Sequence, residues 1–216
     1  MTLLLTGYEP FGDRERNPTA EVARELDGET VADRDVVGRV LPVEFDRAGG
    51  EMRELIEEYD PDAIVATGLA AGRTAVSIER VGVNVADCAG VPDNDGVEPR
   101  DERIRPGDGE PAAYFSTLPV VEVVESLLGA GIPARISNTA GTHLCNDLLY
   151  RTRAHLERES RDVPMGFVHL PLTPEMAAAE AHEAEATAGG EVQPSLPLET
   201  QVAAVVRTFE TAVRDK

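Results

Sequence analysis

The sequence predicts an α/β fold, a three-layer α/β/α sandwich whose central twisted sheet is mixed and mostly parallel. Short apolar runs typical of strands alternate with segments that carry apolar residues at helical spacing. The run AIVATG at residues 63–68 is apolar or small almost throughout, as in a strand that is buried on both faces. With 216 residues and no internal period, the chain suits one domain over residues 1–216.

The first half of the chain predicts strands and helices in alternation. Apolar runs place strands at residues 2–6, 36–41 and 63–68. Apolar or small residues recur at helical intervals at residues 20–26 and 45–59. Prolines support these boundaries, because Pro18 precedes the first helix and Pro61 follows the second.

Residues 76–85, VSIERVGVNV, alternate with a period of two and predict a further strand, in a region where we expect antiparallel members of the sheet. One face of this strand collects Ser77, Glu79 and three valines. A carboxylate in an apolar row is costly unless it is paired. Glu79 is therefore either a structural ion-pair partner of a base such as Arg73 or Arg80, or a functional acid.

The second half continues the alternation after a long loop. Residues 87–109 are rich in Gly, Pro, Asp and Asn, and a loop of this length is typically functional. Strands are predicted at residues 112–117, 134–136 and 165–170, and helices at residues 120–128, after Thr142, and at residues 199–214. Residues 176–191 are rich in Ala, Glu and Gly, and we interpret them as a mobile lid or a poorly ordered insertion.

The charge balance restricts the partners of the protein. Forty acidic residues stand against 20 basic ones, the formal net charge is −20, and the only lysine is Lys216. Such a surface repels nucleic acid and anionic membranes, so neither is an expected partner. An acid-rich, lysine-poor chain with ordinary apolar content is typical of a salt-loaded cytoplasm, where ions screen self-repulsion; an ordinary acidic cytosolic protein is the alternative.

The sequence also predicts a cytoplasmic location. The opening stretch lacks a basic region before its short apolar run, and no stretch approaches the roughly 20 apolar residues of a membrane span. Cys88 and Cys145 are too few for a disulfide framework or a cysteine-rich zinc site, so both are expected as thiols.

The stretch SNTAGTHLCNDLLY at residues 137–150 predicts a strand end, a tight turn and a helix. Thr142 is the expected N-cap, which places Cys145 in the first helical turn. The helix dipole favours a thiolate there and lowers the pKa of Cys145 below about 8.5, while free N–H groups at residues 141–145 suit an oxyanion. The alternative is a small buried residue at the head of a core helix.

A nucleophilic cysteine needs a base and a group that orients the base. His169 lies near the C-terminal end of a predicted strand, where ligand sites of open α/β sheets lie, although a histidine in an apolar strand also suits a core role. His169 and Glu79 supply the required residue types. Tyr8 and Phe11, in the first loop, either line a pocket or pack against the strand end.

Blocks of sequence along nearly the whole chain resemble the type I pyroglutamyl peptidases, also called pyrrolidone-carboxylate peptidases. The matching blocks stand in the order of that family and at nearly its spacing. They are TGYEPFG (6–12), NPT (17–19), GRTAVSIERVGVN (72–84), PDNDG (92–96), AAYFSTLP (112–119), SNTAGTHLCN (137–146) and GFVHLP (166–171).

The resemblance implies roles for these residues. It makes Cys145 the nucleophile, His169 the base and Glu79 the orienting acid, and it implies that Tyr8 and Phe11 line the pocket for the pyroglutamyl ring. The activity it implies is hydrolysis of the amide bond after an N-terminal pyroglutamyl residue of peptides, without a cofactor or metal. It also implies a homo-oligomer, either a dimer or a tetramer.

The chain departs from the family pattern in three places. His143 stands where the family usually has tyrosine or phenylalanine, so we expect it to contribute to substrate binding, and Tyr8 stands where phenylalanine is usual. Residues 87–92, DCAGVP, are one residue longer than the family pattern and lack its arginine near Ala89 and Gly90. Either Arg73 or Arg80 compensates, or the rate is low.

Two other hypotheses remain open at this point. The missing arginine suits a homologue that binds pyroglutamyl peptides and cleaves them weakly or not at all. A metal site built from His143, Cys145, His169 and Cys88 has poor support, because His-x-Cys spacing does not share one helix face and a structural zinc site needs four placed ligands.

Overall fold

The computed structural model describes residues 1–183 and 191–214. Its strands are β1 (Thr2–Tyr8), β2 (Thr30–Val31), β3 (Arg34–Leu41), β4 (Ala63–Leu69), β5 (Val76–Glu79), β6 (Val81–Val83), β7 (Ala113–Phe115), β8 (Ala134–Ser137) and β9 (Met165–Leu170). Its helices are α1 (Pro18–Leu26), α2 (Phe45–Tyr59), α3 (Val120–Gly129), α4 (Leu144–Arg158), α5 (Pro174–Glu183) and α6 (Leu198–Ala212). Within the described ranges, none of these helices combines the length and apolar character that crossing a bilayer requires.

A seven-stranded sheet forms the centre of the molecule, in the order β2-β3-β1-β4-β9-β5-β8. The pairs β1–β3, β1–β4, β4–β9 and β5–β8 are parallel, whereas β2–β3 and β5–β9 are antiparallel. The prediction of a mixed, mostly parallel sheet is therefore confirmed, including an antiparallel member near residue 76. Strands β6 and β7 form a separate antiparallel pair.

Helices cover both faces of this sheet. The side chains of Leu3 and Leu5 on β1 pack into a cluster with apolar residues of α1, α3 and α6. Leu4, between them, points to the opposite face and joins a cluster with residues of α2 and α4. This alternation along a strand that is covered on both sides gives the three-layer α/β/α sandwich predicted from the sequence.

The prediction of one strand over residues 76–85 is wrong. The ladder breaks at Arg80: β5 stays in the large sheet, and β6 leaves it to pair with β7. All four residues of β5 are buried, because β8 and β9 flank the strand and helices cover the sheet. The period of two in the sequence therefore reflects two short strands in different sheets, and it does not describe one half-exposed strand.

Two segment boundaries also differ from expectation. Strand β1 continues to Tyr8, so this residue ends a strand and does not lie in the first loop. Residues 174–183 form the helix α5, which includes the first part of the stretch 176–191 that we interpreted as a lid or insertion. The rest of that interpretation concerns residues 184–190, which lie outside the described residues.

Asn146 fastens α4 to β6. Its fully buried side chain accepts a hydrogen bond from the Val83 N–H at 2.8 Å and donates to the carbonyls of Val83 and Val85, each at 2.9 Å. One side-chain amide thus satisfies backbone groups of β6 and of Val85 just after it, beside a strand whose one partner strand among the described residues is β7.

The first prediction concerns Asn146→Ala. We expect the free energy of unfolding to fall by about 1–3 kcal/mol, because the part-buried backbone groups of Val83 and Val85 lose their partner. The matched control is Asn138→Ala, which removes an exposed side chain and should change stability by less than about 0.5 kcal/mol. Urea denaturation measures both variants, and equal effects would contradict the structural role of Asn146.

Candidate active site

The C-terminal ends of β1, β4 and β9 meet at one edge of the sheet because these strands are parallel neighbours. Tyr8, Gly68 and His169 lie at or next to these ends. A cavity of about 590 Å³ opens there, where ligands of α/β sheets commonly bind. The predicted site residues that line this cavity are Tyr8, Phe11, His143, Cys145 and His169. Glu79, the sixth, lies behind His169.

Glu79 and His169 form a buried pair. The Nδ1–H of His169 donates to Glu79 Oε1 at 2.7 Å, and both side chains are almost fully buried. The antiparallel ladder places Glu79 opposite Phe167, two residues from His169, so the two side chains share one face of the sheet. This bond leaves Nε2 of the neutral ring as an acceptor.

Arg73 is a second partner of the same carboxylate. Its Nη1 donates to Glu79 Oε1 at 2.6 Å, and its Nη2 donates to the Thr139 carbonyl at 3.3 Å. Arg80 instead donates to Asn138 Oδ1 at 2.8 Å. The ion pair and the imidazole contact, which the sequence left as alternatives, therefore occur together at Glu79.

The partners of Glu79 keep its carboxylate ionised. Burial alone raises the pKa of Glu79, but its hydrogen bond to His169, the attraction of the protonated form of that imidazole, and the hydrogen bond from Arg73 together outweigh it. The pKa of Glu79 consequently lies below its ordinary value of 4.5. Glu79 is thus an anion at neutral pH despite its complete burial.

His169 is neutral at the same pH. Burial lowers the pKa of His169 below its ordinary value of 6.5, and the positive charge of Arg73 acts in the same direction. The hydrogen bond and charge of Glu79 oppose this shift without cancelling it. A neutral, oriented imidazole is suited to accept a proton.

Cys145 is the second residue of α4, in the first helical turn as predicted, but Thr142 is not the N-cap. The N-cap is His143, whose side chain makes no capping hydrogen bond. The Thr142 hydroxyl donates to the Asp87 carbonyl at 2.6 Å. The Thr142 side chain therefore bonds to the loop at residues 87–109 and not to the helix, and the local sequence does not predict this contact.

The prediction of a lowered Cys145 pKa is also wrong. Burial, and then the negative charge of Glu79, raise the pKa of Cys145 to about 12, although Arg73 and the N–H of Cys145 itself oppose the shift. Among the described residues, no hydrogen bond joins the thiol to His169, although both line the cavity. The resting site therefore holds a neutral thiol near a neutral imidazole.

The N–H groups before Cys145 are only partly free. The Gly141 N–H donates to Thr139 Oγ1 at 3.1 Å, which removes it from the expected oxyanion site. The first N–H groups of a helix have no helical acceptor, and in α4 they include those of Leu144 and Cys145. These two groups are the candidates for binding a negatively charged oxygen next to the sulfur.

His143 forms an aromatic wall of the cavity. Its ring lies between Phe11 and Phe45, with centroids 5.3 and 5.2 Å away. Its Nε2 donates to the Val91 carbonyl at 3.0 Å, and burial lowers the pKa of His143 below 6.5, so the ring is neutral at neutral pH. Sequence reasoning did not predict the contact between Phe45 and His143, because a residue that opens an amphipathic helix gives no sign of the distant ring on which it packs.

Tyr8 connects this wall to the start of α4. Its hydroxyl donates to the Leu144 carbonyl at 3.1 Å, directly before Cys145. Burial, followed by the charges of Cys145 and Asp147, raises the pKa of Tyr8 well above 10.0, so the phenol remains a donor.

The loop at residues 87–109 forms a rim of the cavity next to His143. Its lining residues are Asp87, Cys88, Ala89 and Val91. Cys88 is buried, and burial raises the pKa of its thiol. Within residues 1–183 and 191–214, no three histidine, cysteine or acidic side chains are grouped so that they would hold a metal ion, and the hypothesis of a Cys/His metal site gains no support.

Gly68 is a residue of the site that sequence reasoning missed. A Cβ at this position would lie 2.8 Å from Cys145 Sγ and 2.8 Å from the Phe167 ring. Only glycine lets the sulfur approach the β4 backbone this closely. A glycine near the end of a buried strand was the available signal, since it often marks such an approach.

The chain is similar to known proteins over its full length. A family model described as pyroglutamyl peptidase matches residues 1–215. A pyrrolidone-carboxylate peptidase of Pyrococcus furiosus is 42% identical, covering 100% of this chain and 99% of that protein. One of Pseudomonas fluorescens is also 42% identical, covering 99% and 95%. The crystal structure of a mutant pyrrolidone carboxyl peptidase from P. furiosus superimposes with a TM-score of 0.91, at 41% identity and with 100% and 99% coverage.

The second prediction concerns Gly68→Ala. The added methyl group overlaps the sulfur of Cys145 and the Phe167 ring, so we expect a loss of about 1–3 kcal/mol in the free energy of unfolding. Gly50→Ala is the control, because a Cβ at Gly50 meets nothing within 4 Å and lies inside α2, where alanine is favoured. Urea denaturation should separate the two, and a Gly68→Ala protein as stable as the wild type would refute the close contact.

Proposed function

The chain belongs to the pyroglutamyl peptidase family, and we propose that it is a cysteine exopeptidase that hydrolyses the amide bond after an N-terminal pyroglutamyl residue of peptides. The observation that carries the proposal is the cavity itself. Cys145 at a helix start and His169, hydrogen-bonded to buried Glu79, line one space with aromatic walls. In this proposal Cys145 is the nucleophile, His169 the base and Glu79 the orienting acid.

The first step is attack by Cys145 Sγ on the carbonyl carbon that joins the pyroglutamyl ring to the next residue. The thiol proton passes to His169 Nε2 as the C–S bond forms, because both groups are neutral beforehand. Glu79 stabilises the imidazolium that results. The N–H groups of Leu144 and Cys145 receive the developing oxyanion.

The remaining steps return the enzyme to its starting state. The tetrahedral intermediate collapses, the C–N bond breaks, and His169 Nε2 gives its proton to the leaving amine. Water then attacks the thioester while His169 accepts a proton from it. Breaking of the C–S bond releases free pyroglutamate, and the proton on His169 returns to the Cys145 sulfur.

The aromatic walls support the substrate assignment. Pyroglutamate is a lactam without a charged amino group, so ring faces and backbone hydrogen bonds suit it better than a carboxylate would. We propose that Tyr8, Phe11 and His143 contact the lactam ring. All three line the cavity, and His143 is held in place by its bond to Val91.

The proposal extends to the setting in which the protein works. The net charge of −20 supports a protein adapted to high salt, in which ions screen mutual repulsion. A cytoplasmic location, a homo-oligomer of two or four copies and one domain over residues 1–216 remain predictions from the sequence. Sedimentation at low and molar salt would test the oligomer.

The third prediction concerns turnover. We expect wild-type protein to release a fluorescent amine from its pyroglutamyl amide, and Cys145→Ala to lose more than about a thousandfold in rate. The prolyl amide of the same amine, which lacks the lactam carbonyl, is the substrate control. Each assay is run at low and at molar KCl, and faster turnover at molar salt would support salt adaptation.

The opposite outcome of this assay is equally specific. A folded wild-type protein that binds a pyroglutamyl peptide but releases no amine at either salt concentration would overturn the peptidase proposal. It would favour the binding-only homologue.

The fourth prediction concerns pH. His169 must be neutral to act as a base, so activity is present above its pKa and is lost as the pH falls through it. Because that pKa lies below 6.5, the acid limb of kcat/KM should also lie below 6.5. Rates measured between about pH 5 and pH 8 test this, with circular dichroism to show that the protein stays folded. An acid limb centred above 6.5 would contradict the assignment.

A further inference from the structure

Arg73 is a cation that the mechanism above does not use, although it contacts both halves of the site. Its side chain is 19% exposed, so salt screens its interactions less than those of a surface arginine. The charged and titratable groups that it faces are Glu79 on β5, His169 on β9 and Cys145 on α4.

The first contact fixes the acid. Glu79 Oε1 accepts hydrogen bonds from both Arg73 Nη1, at 2.6 Å, and His169 Nδ1, at 2.7 Å. Two donors on one oxygen define where that oxygen lies and, through it, how the imidazole is turned. Without Arg73 the buried carboxylate would keep the imidazole but lose its only cationic partner among the described residues.

The second contact reaches the segment that precedes the nucleophile. Arg73 Nη2 donates to the Thr139 carbonyl, which also accepts from Ser137 Oγ at 3.0 Å. Ser137 is the partner of Glu79 across the parallel pair of β5 and β8. The turn from Ser137 to α4 is therefore held to the same guanidinium as the acid that orients the base.

The charge of Arg73 also acts on the thiol. Glu79 raises the pKa of Cys145 and Arg73 lowers it, so the guanidinium offsets part of the effect of the carboxylate. Arg73 also lowers the pKa of His169. The lower pKa of His169 favours the neutral imidazole, and the lower pKa of Cys145 reduces the free energy needed to form its thiolate.

We propose that Arg73 is a positioning residue that holds the Glu79–His169 pair in register with the Cys145 turn and places a positive charge beside Glu79. Its role in catalysis rests on the peptidase function proposed above. The sequence left Arg73 and Arg80 as equal candidates to compensate for the arginine absent near Ala89. The contacts favour Arg73, because the Arg80 guanidinium bonds to exposed Asn138.

The test compares Arg73→Gln and Arg73→Lys with Arg80→Gln as the matched control. For Arg73→Gln we expect kcat to fall about 10- to 100-fold while KM changes less than about threefold, since the group positions a base and does not touch the substrate. Arg73→Lys should recover part of the loss, because it restores the charge without the two-pronged geometry. Arg80→Gln should behave as wild type.

Two further readouts separate a positioning role from a general loss of structure. The acid limb of kcat/KM should move to higher pH in Arg73→Gln, because His169 no longer feels the cation. Alkylation of Cys145 by iodoacetamide, located by peptide mass spectrometry to distinguish it from Cys88, should slow at fixed mildly alkaline pH, because the guanidinium that lowers the pKa of Cys145 has been removed. A structural defect alone would not shift the pH profile.

Unchanged kcat, pH profile and alkylation rate in a folded Arg73→Gln protein would overturn the inference. Equal losses in Arg80→Gln would overturn it as well. If the wild type hydrolyses no pyroglutamyl amide, the proposed function fails, but alkylation still shows whether Arg73 acts on Cys145. If Arg73→Gln does not fold, Arg73→Lys carries the test, and wild-type kcat and pH profile in that variant would count against a geometric role.

Discussion

The site depends on one buried charge. Glu79 has no exposed surface, and an ionised carboxylate in that position is stable only with partners that compensate for its lost hydration. His169 and Arg73 are those partners, and each comes from a different part of the chain. The antiparallel placement of β5 beside β9 brings the acid to the histidine, and the connection from β4 to β5 brings the arginine. The strand order therefore places the partners that stabilise the buried carboxylate next to it.

Most of the fold and the position of Cys145 could be predicted from the sequence, because the patterns that indicate them are local. Apolar runs and helical spacing gave most strands and helices near their observed positions, and the position of Cys145 at a helix start followed from the turn and apolar pattern after residue 137. Ordered motifs gave the family. Such patterns are reliable because strands buried on both faces and the inner faces of helices accept few residue types other than apolar ones.

The predictions that were wrong or missing all concern contacts between residues that are distant in sequence. The local sequence predicts Thr142 as an N-cap, but its hydroxyl donates instead to the carbonyl of Asp87, which is far away in sequence. The helix dipole favours a thiolate at Cys145, but burial and the charge of Glu79, which no local pattern reveals, raise its pKa. Residues 76–85 alternate with one period although they belong to two sheets. Phe45 gave no signal, because its neighbour His143 enters the chain about a hundred residues later.

The ladder between β5 and β9 has a consequence for how such a site changes over evolutionary time. Glu79 and His169 share one face of the sheet only in the observed register, because side chains alternate faces at every residue. Inserting or deleting one residue in either strand would turn one of the pair to the opposite face, with no intermediate position. We therefore expect loops such as residues 87–109 to tolerate changes of length that β5 and β9 cannot accept.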